Sequence, residues 1–236
     1  MAAEAAVTAH DVSKSFIMGR QKVAALKGVS LRVPTGTMTA LIGPSGSGKS
    51  TLLHLIAGLE SVDSGELEVL GRPVQTCGQA ELAALRLREI GFVYQDFSLI
   101  SDLTLVENVR LPLEGMGVVR KQAHEAACEA MARVGLTGLE NRFPAEVSGG
   151  QQQRTSIARA IVGKRKLVLA DEPTGSLDSK TGVEIMEILG GLRDDGVTVV
   201  LSTHNPANLS YADQTAELAD GSLVGINVRP DAGERP

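Results

Sequence analysis

Residues 43–51 read Gly-Pro-Ser-Gly-Ser-Gly-Lys-Ser-Thr, and this stretch constrains the fold more than any other. It fits the P-loop pattern of Gly, four residues, Gly, Lys, then Ser or Thr. The flanks supply the context that the pattern needs. Met38 to Ile42 is a short apolar run suited to a buried strand, and Leu52, Leu53, Leu55, Ile56 and Leu59 follow with helical spacing. A Gly-rich turn matching by chance does not require that strand and helix. Gly43, Gly46 and Gly48 free the backbone to turn its N–H groups inward, with Pro44, Ser45 and Ser47 between them. A helix starting near Lys49 adds its positive N-terminal end. Lys49 is then placed for β- and γ-phosphates, Ser50 for Mg²⁺, and Thr51 for an α-phosphate oxygen.

A second constellation lies further along. Leu167-Val168-Leu169-Ala170 is an apolar run that ends in Asp171-Glu172. A buried parallel strand delivers its last side chains to the carboxyl edge of the sheet, where α/β proteins hold ligands. Asp171 there would hold Mg²⁺, directly or through water. Glu172, one residue on, points elsewhere and could polarise a water toward a γ-phosphate. Taken alone, this strand end reads equally as a solvated terminus; the P-loop favours the catalytic reading.

The net charge is −5 and only 3% of residues are aromatic, with no Trp. There is no basic stripe or stacking platform for nucleic acid, so an anionic ligand must be held by local devices. Cys77 and Cys128 have no neighbouring second Cys, and two buried, reduced thiols are expected. His10, His54 and His124 lack partners at metal-binding spacing and read as structural. The N-terminus has no basic-then-apolar leader, and no segment approaches the roughly 20 apolar residues of a membrane helix. A cytoplasmic chain, or a soluble subunit of something larger, is expected.

Other strands are expected from alternating Val29, Leu31 and Val33, at residues 66–69 and 90–94, and at Val197–Ser202. Thr104 to Gly135 reads as helical, with Leu105, Val109, Leu113 and then Ala123, Ala127, Met131 at fourfold spacing and Gly135 as a C-cap. Ile185, Ile188, Leu189 and Leu192 form another helical face. Strands alternating with helices predict an α/β fold on a parallel sheet, into which the helical middle is inserted. The tail at 231–236 lacks apolar periodicity and is expected to be disordered.

Val147-Ser148-Gly149-Gly150-Gln151 lies between the two phosphate-side motifs, ahead of a helical stretch over 152–162. Here the chain resembles the ATP-binding cassette (ABC) ATPases, whose signature is Leu-Ser-Gly-Gly-Gln; Val147 replaces the Leu. The other motifs follow in family order. Gln95 resembles the Q-loop glutamine, Gly175-Ser176-Leu177-Asp178 the D-loop, and His204 the switch histidine. Phe16 stands where the family stacks an aromatic ring, more usually Tyr, on adenine. The resemblance covers residues 7–227.

The resemblance implies a P-loop NTPase cassette with a RecA-like parallel core, an N-terminal antiparallel β subdomain and an inserted α-helical subdomain at about 97–160. It implies one domain over 1–230, with ATP and Mg²⁺ as cofactors. Gln95, Ser50 and Asp171 would hold the metal; Glu172, His204, Gln95 and Lys49 would carry catalysis. Ser148, Gly149, Gly150, Gln151 and Asp178 would face the nucleotide of a second copy in a head-to-tail homodimer. A helix N-terminus at Ser148 suits that anion-facing task.

Gly91-Phe92-Val93-Tyr94-Gln95, Leu103-Thr104, Glu107-Asn108-Val109 and Leu111-Pro112-Leu113 resemble the group containing lipoprotein-release, macrolide-export, antimicrobial-peptide-resistance and cell-division (FtsE-type) ATPases. That implies a peripheral subunit on the cytoplasmic face of the inner membrane. Its integral permease-type partner would dock near Gln95–Leu103 and the helical subdomain. Two alternatives stand beside the transporter reading: a regulatory ATP-dependent switch, as in cell division, and a soluble cassette with no membrane partner. Only roughly 100 residues separate P-loop and signature, against the hundreds of coiled-coil residues that DNA-repair relatives insert.

Overall fold

The computed structural model describes residues 4–229. The chain opens with a long hairpin, β1 (Ala5–Met18) and β2 (Gln21–Pro34), and then β3 (Met38–Ile42) runs into the P-loop and α1 (Lys49–Ile56). β4 (Ser64–Val69), the two-residue β5 (Arg72–Pro73), α2 (Gln79–Arg88) and β6 (Ile90–Val93) follow. Three helices come next: α3 (Leu105–Gly115), α4 (Arg120–Arg133) and α5 (Gly149–Ile161). The chain then runs through β7 (Leu167–Asp171), α6 (Ser179–Asp194), β8 (Thr198–Ser202), β9 (Gln214–Ala219) and β10 (Ser222–Val228).

Two sheets result. The antiparallel sheet has the order β2-β1-β4-β5, and the larger one the order β10-β9-β3-β8-β7-β6. In the larger sheet, β9, β3, β8, β7 and β6 are parallel neighbours, and β10 adds an antiparallel edge. The central strands β3, β7 and β8 are apolar and buried because helices cover both faces, as parallel sheets require. One apolar core joins α3, α4, α5 and α6 to one face of the sheet. The other fills the space between α1, the second face and the antiparallel sheet.

The parallel register places Asp171 opposite Ser202, and Leu41 also opposite Ser202. The carboxyl ends of β3, β7 and β8 therefore reach one edge together, and their successor residues meet there.

The helices depart from the sequence reading in instructive ways. α1 stops at Ile56 because Gly58 turns left-handed (φ 62), so Leu59 lies outside the helix and is exposed. α5 starts at Gly149, so both signature glycines sit inside its first turn and not in a preceding loop. α4 ends as expected, with Gly135 at φ 74 just past its C-cap. Cys77 and Cys128 are free thiols but only half-buried. The proposed tail at 231–236 falls outside the described residues. No helix among the described residues is long and apolar enough to cross a membrane.

Candidate functional site

The loop between β3 and α1 is built on two glycines that tolerate no substituent. Gly43 has φ 141, and a Cβ there would lie 2.0 Å from the Leu218 carbonyl oxygen. Gly48 has φ 103, and a Cβ would lie 2.6 Å from the Ala25 carbonyl oxygen. L-residues avoid such φ values in any case. The backbone is thereby pressed against β2 and β9, which leaves the loop's outer side open.

That open side is the wall of a cleft of about 580 Å³, lined by Ala25, Ser45, Gly46, Gly48, Lys49, Ser50, Thr51, Gln95, Glu172 and His204. The first turn of α1 carries no acidic residue, and no side chain caps it. Its free N–H groups and partial positive charge face the loop, an arrangement suited to an oxyanion. Lys49 is buried and has no carboxylate partner among the described residues; its Nζ donates to the Gly43 and Pro44 carbonyls at 2.8 and 3.0 Å. Ser47 is buried beneath the loop, where its N–H donates to Pro44 O.

The acidic strand end meets this loop. Ser50 Oγ donates to Asp171 Oδ1 at 3.0 Å, and Ser202 Oγ donates to the same oxygen at 2.6 Å. A hydroxyl and a carboxylate in contact are hard oxygen donors, the kind Mg²⁺ takes when substrate phosphates and waters complete its shell. No group of three metal-binding side chains occurs among the described residues, so such an ion would draw most of its ligands from phosphate and water. Glu172 has φ 46, outside the region its residue type prefers. Its N–H donates to Ser202 Oγ at 2.9 Å, which helps hold that conformation. His204 Nδ1 lies 2.9 Å from Glu172 Oε2. An ionised carboxylate only accepts, so in that pair Nδ1 carries the proton and Nε2 is left for the cleft.

Gln95 is exposed and lines the same cleft, where a Cβ at Gly175 would lie 3.5 Å from both its amide nitrogen and Glu172 Cβ. Ser202 was not singled out from sequence, nor was Asn208, whose amide donates to Thr203 and Thr174 hydroxyls. Gln153 was also missed: it is fully buried and donates to Pro173 O at 2.7 Å, fastening α5 to the segment behind Glu172. Ser202 closes an apolar strand run, the one weak signal in the sequence, while Gln153 and Asn208 stand in polar stretches that carry none.

The remaining sequence candidates lie off the cleft. Ser148 caps α5 and exchanges bonds with Gln151, whose side-chain oxygen accepts from Ser148 N at 2.9 Å. Gly150 is required by close packing, since a Cβ there would lie 2.5 Å from Thr181 Cγ2 on α6. Asp178 caps α6; the Thr181 hydroxyl and the helix N–H groups hold its carboxyl below the ordinary Asp range. Phe16 is half-buried on β1, with Lys14 Nζ 5.3 Å from its ring centre. None of these residues lines the cleft that holds Lys49 and Glu172. His54 packs on Phe92, His10 sits beside Asp11, and His124 lies near Cys128.

Residues 26–175 match a protein family described as ABC transporter. The macrolide export ATP-binding/permease proteins MacB of Escherichia coli K12 and Salmonella typhimurium are each 44% identical over 214 residues. The match takes in 91% of this chain and 33% of theirs, so the chain spans about a third of the length of these relatives. Among solved structures, the dimeric bacterial ABC transporter cassette MJ0796 superposes with a TM-score of 0.88 at 37% identity, covering 94% of this chain and 98% of that one. The same cassette is known as a dimer in a post-hydrolysis state bound to ADP and Pi. The cbiO1 protein of Clostridium perfringens, part of the transporter complex cbiONQ, superposes at 0.84 with 25% identity, over 95% and 89% of the two chains.

Proposed function

The chain belongs to the ABC transporter ATP-binding cassettes, and from that premise we propose that it binds and hydrolyses ATP in the cleft between the P-loop and Glu172. The observation that carries this reading is the meeting of Lys49, Ser50, Asp171, Glu172 and His204 at one sheet edge. Lys49 bonds loop carbonyls and Glu172 bonds His204. Phosphates entering the loop would take over the Lys49 ammonium and the N–H groups of α1. Phe16, on β1 and outside the cleft lining, would offer its ring to an adenine that extends beyond the cleft. Ser50, Asp171 and Gln95 would hold magnesium, which when bound supplies charge neutralisation on the transferring phosphoryl group. Glu172 would accept a proton from, or orient, the attacking water. His204 would keep the Glu172 carboxylate aimed and place Nε2 toward the γ-phosphate.

One chain leaves this site unfinished. Ser148, Gly149, Gly150 and Gln151 present a helix N-terminus away from the cleft. A head-to-tail homodimer would lay that terminus and Asp178 over the partner's nucleotide. The relatives' permease parts and the cbiONQ complex support a membrane partner, so we place the chain as a peripheral subunit on the cytoplasmic face of a membrane. A groove of about 480 Å³ lined by Ala83, Leu87, Phe92, Leu111, Pro112 and three arginines, Arg86, Arg159 and Arg165, suits an amphipathic partner helix with acidic groups. It adjoins the Gln95–Leu103 segment. ATP-driven closure of the dimer would then do work on that partner.

The test is steady-state phosphate release at saturating Mg-ATP from the wild type and Lys49→Ala. Loss of turnover in the variant is expected. Turnover within about threefold of wild type would overturn the assignment, since a charge-assisted phosphate contact is worth far more than that.

A further inference from the structure

Directly after Gln95 the backbone makes a costly turn. Phe97 and Ser98 are consecutive non-glycine residues in the left-handed region, at φ 64 and 46. A single such residue is uncommon, and two in a row persist only where the surroundings impose them. The turn carries bonds of its own: Ser98 N and Oγ donate to Asp96 O and Oδ1, each at 2.7 Å, and Phe97 N donates to Tyr94 O at 3.3 Å. A second restraint, which reaches both carbonyls of the turn, comes from α5. Arg159 Nη1 donates to Ser98 O at 2.6 Å, and Nη2 donates to Phe97 O at 2.9 Å. A guanidinium fork fits two adjacent carbonyls at once, which a lysine ammonium on a flexible stem does not.

This clamp touches three places. Gln95, two residues before Phe97, lines the nucleotide cleft. The Phe97 ring lies against the first turn of α5, where a Cβ on Gly149 would sit 3.7 Å from Cζ and 3.7 Å from Leu177 Cδ2. Arg159 itself lines the arginine-rich groove beside Leu111 and Pro112. Tyr94 and Asp96 are the further groups facing the guanidinium.

We propose that Arg159 is a positioning residue for hydrolysis: it holds Phe97 and Ser98 left-handed, which fixes Gln95 toward the cleft and Phe97 on the Gly149 turn. A partner seated in the groove would then act on the same rigid turn that the nucleotide senses through Gln95. The inference rests on the reading of the cleft as an ATPase site.

Its test uses the full chain and reads kcat, KM for Mg-ATP and Tm for Arg159→Lys, Ser98→Val and Arg159→Lys/Ser98→Gly. Arg159→Lys is expected to lower kcat about tenfold with KM within about twofold, because orientation is lost and binding is kept. Ser98→Val, at an exposed position that spares the core, should reproduce that split, since a β-branched residue resists positive φ. Glycine at 98 needs no clamp, so the double variant should recover to within about threefold of wild type. A residue that merely packs α5 would give no recovery on Ser98→Gly, and that result overturns the proposal. So do kcat values within about twofold of wild type for Ser98→Val, even where Arg159→Lys fails to fold. A wild-type chain that does not hydrolyse Mg-ATP at all overturns the ATPase reading itself, and the clamp with it.

Discussion

Glu172 and His204, 32 residues apart in sequence, meet at the mouth of the cleft with Oε2 and Nδ1 separated by 2.9 Å. The two partners are unequally placed. The Glu172 side chain is 15% exposed and that of His204 is 70% exposed. The Glu172 backbone is anchored through the Ser202 contact at its own N–H, while the imidazole reaches the carboxylate itself from the solvent side. The imidazole is thus the group that aims the carboxylate.

His204→Ala should therefore damage turnover and spare binding. Removing the group that orients the Glu172 carboxylate is expected to lower kcat by about 10²-fold, the lower end of general acid–base contributions. ATP affinity by calorimetry should change by less than about threefold. A parallel loss of affinity would mean that His204 acts chiefly in ground-state binding.

Gly150→Ala should destabilise the chain even before any partner is present. The added methyl would meet Thr181 Cγ2 at 2.5 Å, and Thr181 is held by its hydroxyl bond to Asp178 at 2.6 Å. Overpacking of this kind costs about 1–3 kcal/mol, which in a chain of this size lowers Tm by several degrees, roughly 2–4 °C per kcal/mol. Thr181→Ala vacates the space, so the double variant should regain part of the loss. Additive losses in the double variant would show that the α5–α6 contact is not the cause.

Glu89 gives a pH-dependent test of the fold. Its carboxylate bonds Lys166 at 2.8 Å and Arg72 at 2.6 Å, and the Lys166 bond is the main reason that its pKa lies below the ordinary glutamate value. The folded pKa is depressed, so its stabilisation is full above the unfolded value, about 4.3. It is lost as pH falls through the folded value. Glu89→Gln should lower stability at pH 7 by about 0.5–1 kcal/mol, discounted for the exposed partners. Urea melts at pH 7 and below pH 4 should show that gap closing in acid. A gap that persists unchanged in acid would rule out the charge as its source.

The site was legible in the sequence where its chemistry is written in contiguous strings. Gly43–Thr51 and Leu167–Glu172 each name their residues, and an apolar strand before each string fixes which sheet edge it reaches. What escaped was whatever depends on partners distant in sequence. Ser202 reads as an ordinary strand residue until the β7–β8 register sets it opposite Asp171. Arg159 reads as one polar position on a helix until α5 packs under Phe97 and Ser98. Asn108 is buried and its side chain bonds Ile100, Leu103 and Thr104, stapling the stretch that leads into α3. β9 (Gln-Thr-Ala-Glu-Leu-Ala) carries too weak an apolar pattern to announce itself. It is a strand because β3 offers it a parallel ladder. α1 was over-extended for the opposite reason: the apolar period runs on to Leu59, but the left-handed Gly58 ends the helix first.

The central claim is that this cleft hydrolyses ATP with Glu172 acting on the water and not on the nucleotide. Glu172→Gln separates those tasks, since the amide preserves size and removes the proton acceptor. The direct measurement is phosphate release from Mg-ATP by the full chain, run beside calorimetric ATP binding and light scattering. We expect turnover to fall by about 10²-fold or more, affinity to stay within about threefold, and a stable ATP-bound dimer to accumulate where the wild type forms only a transient one. Wild-type turnover in Glu172→Gln would contradict the account.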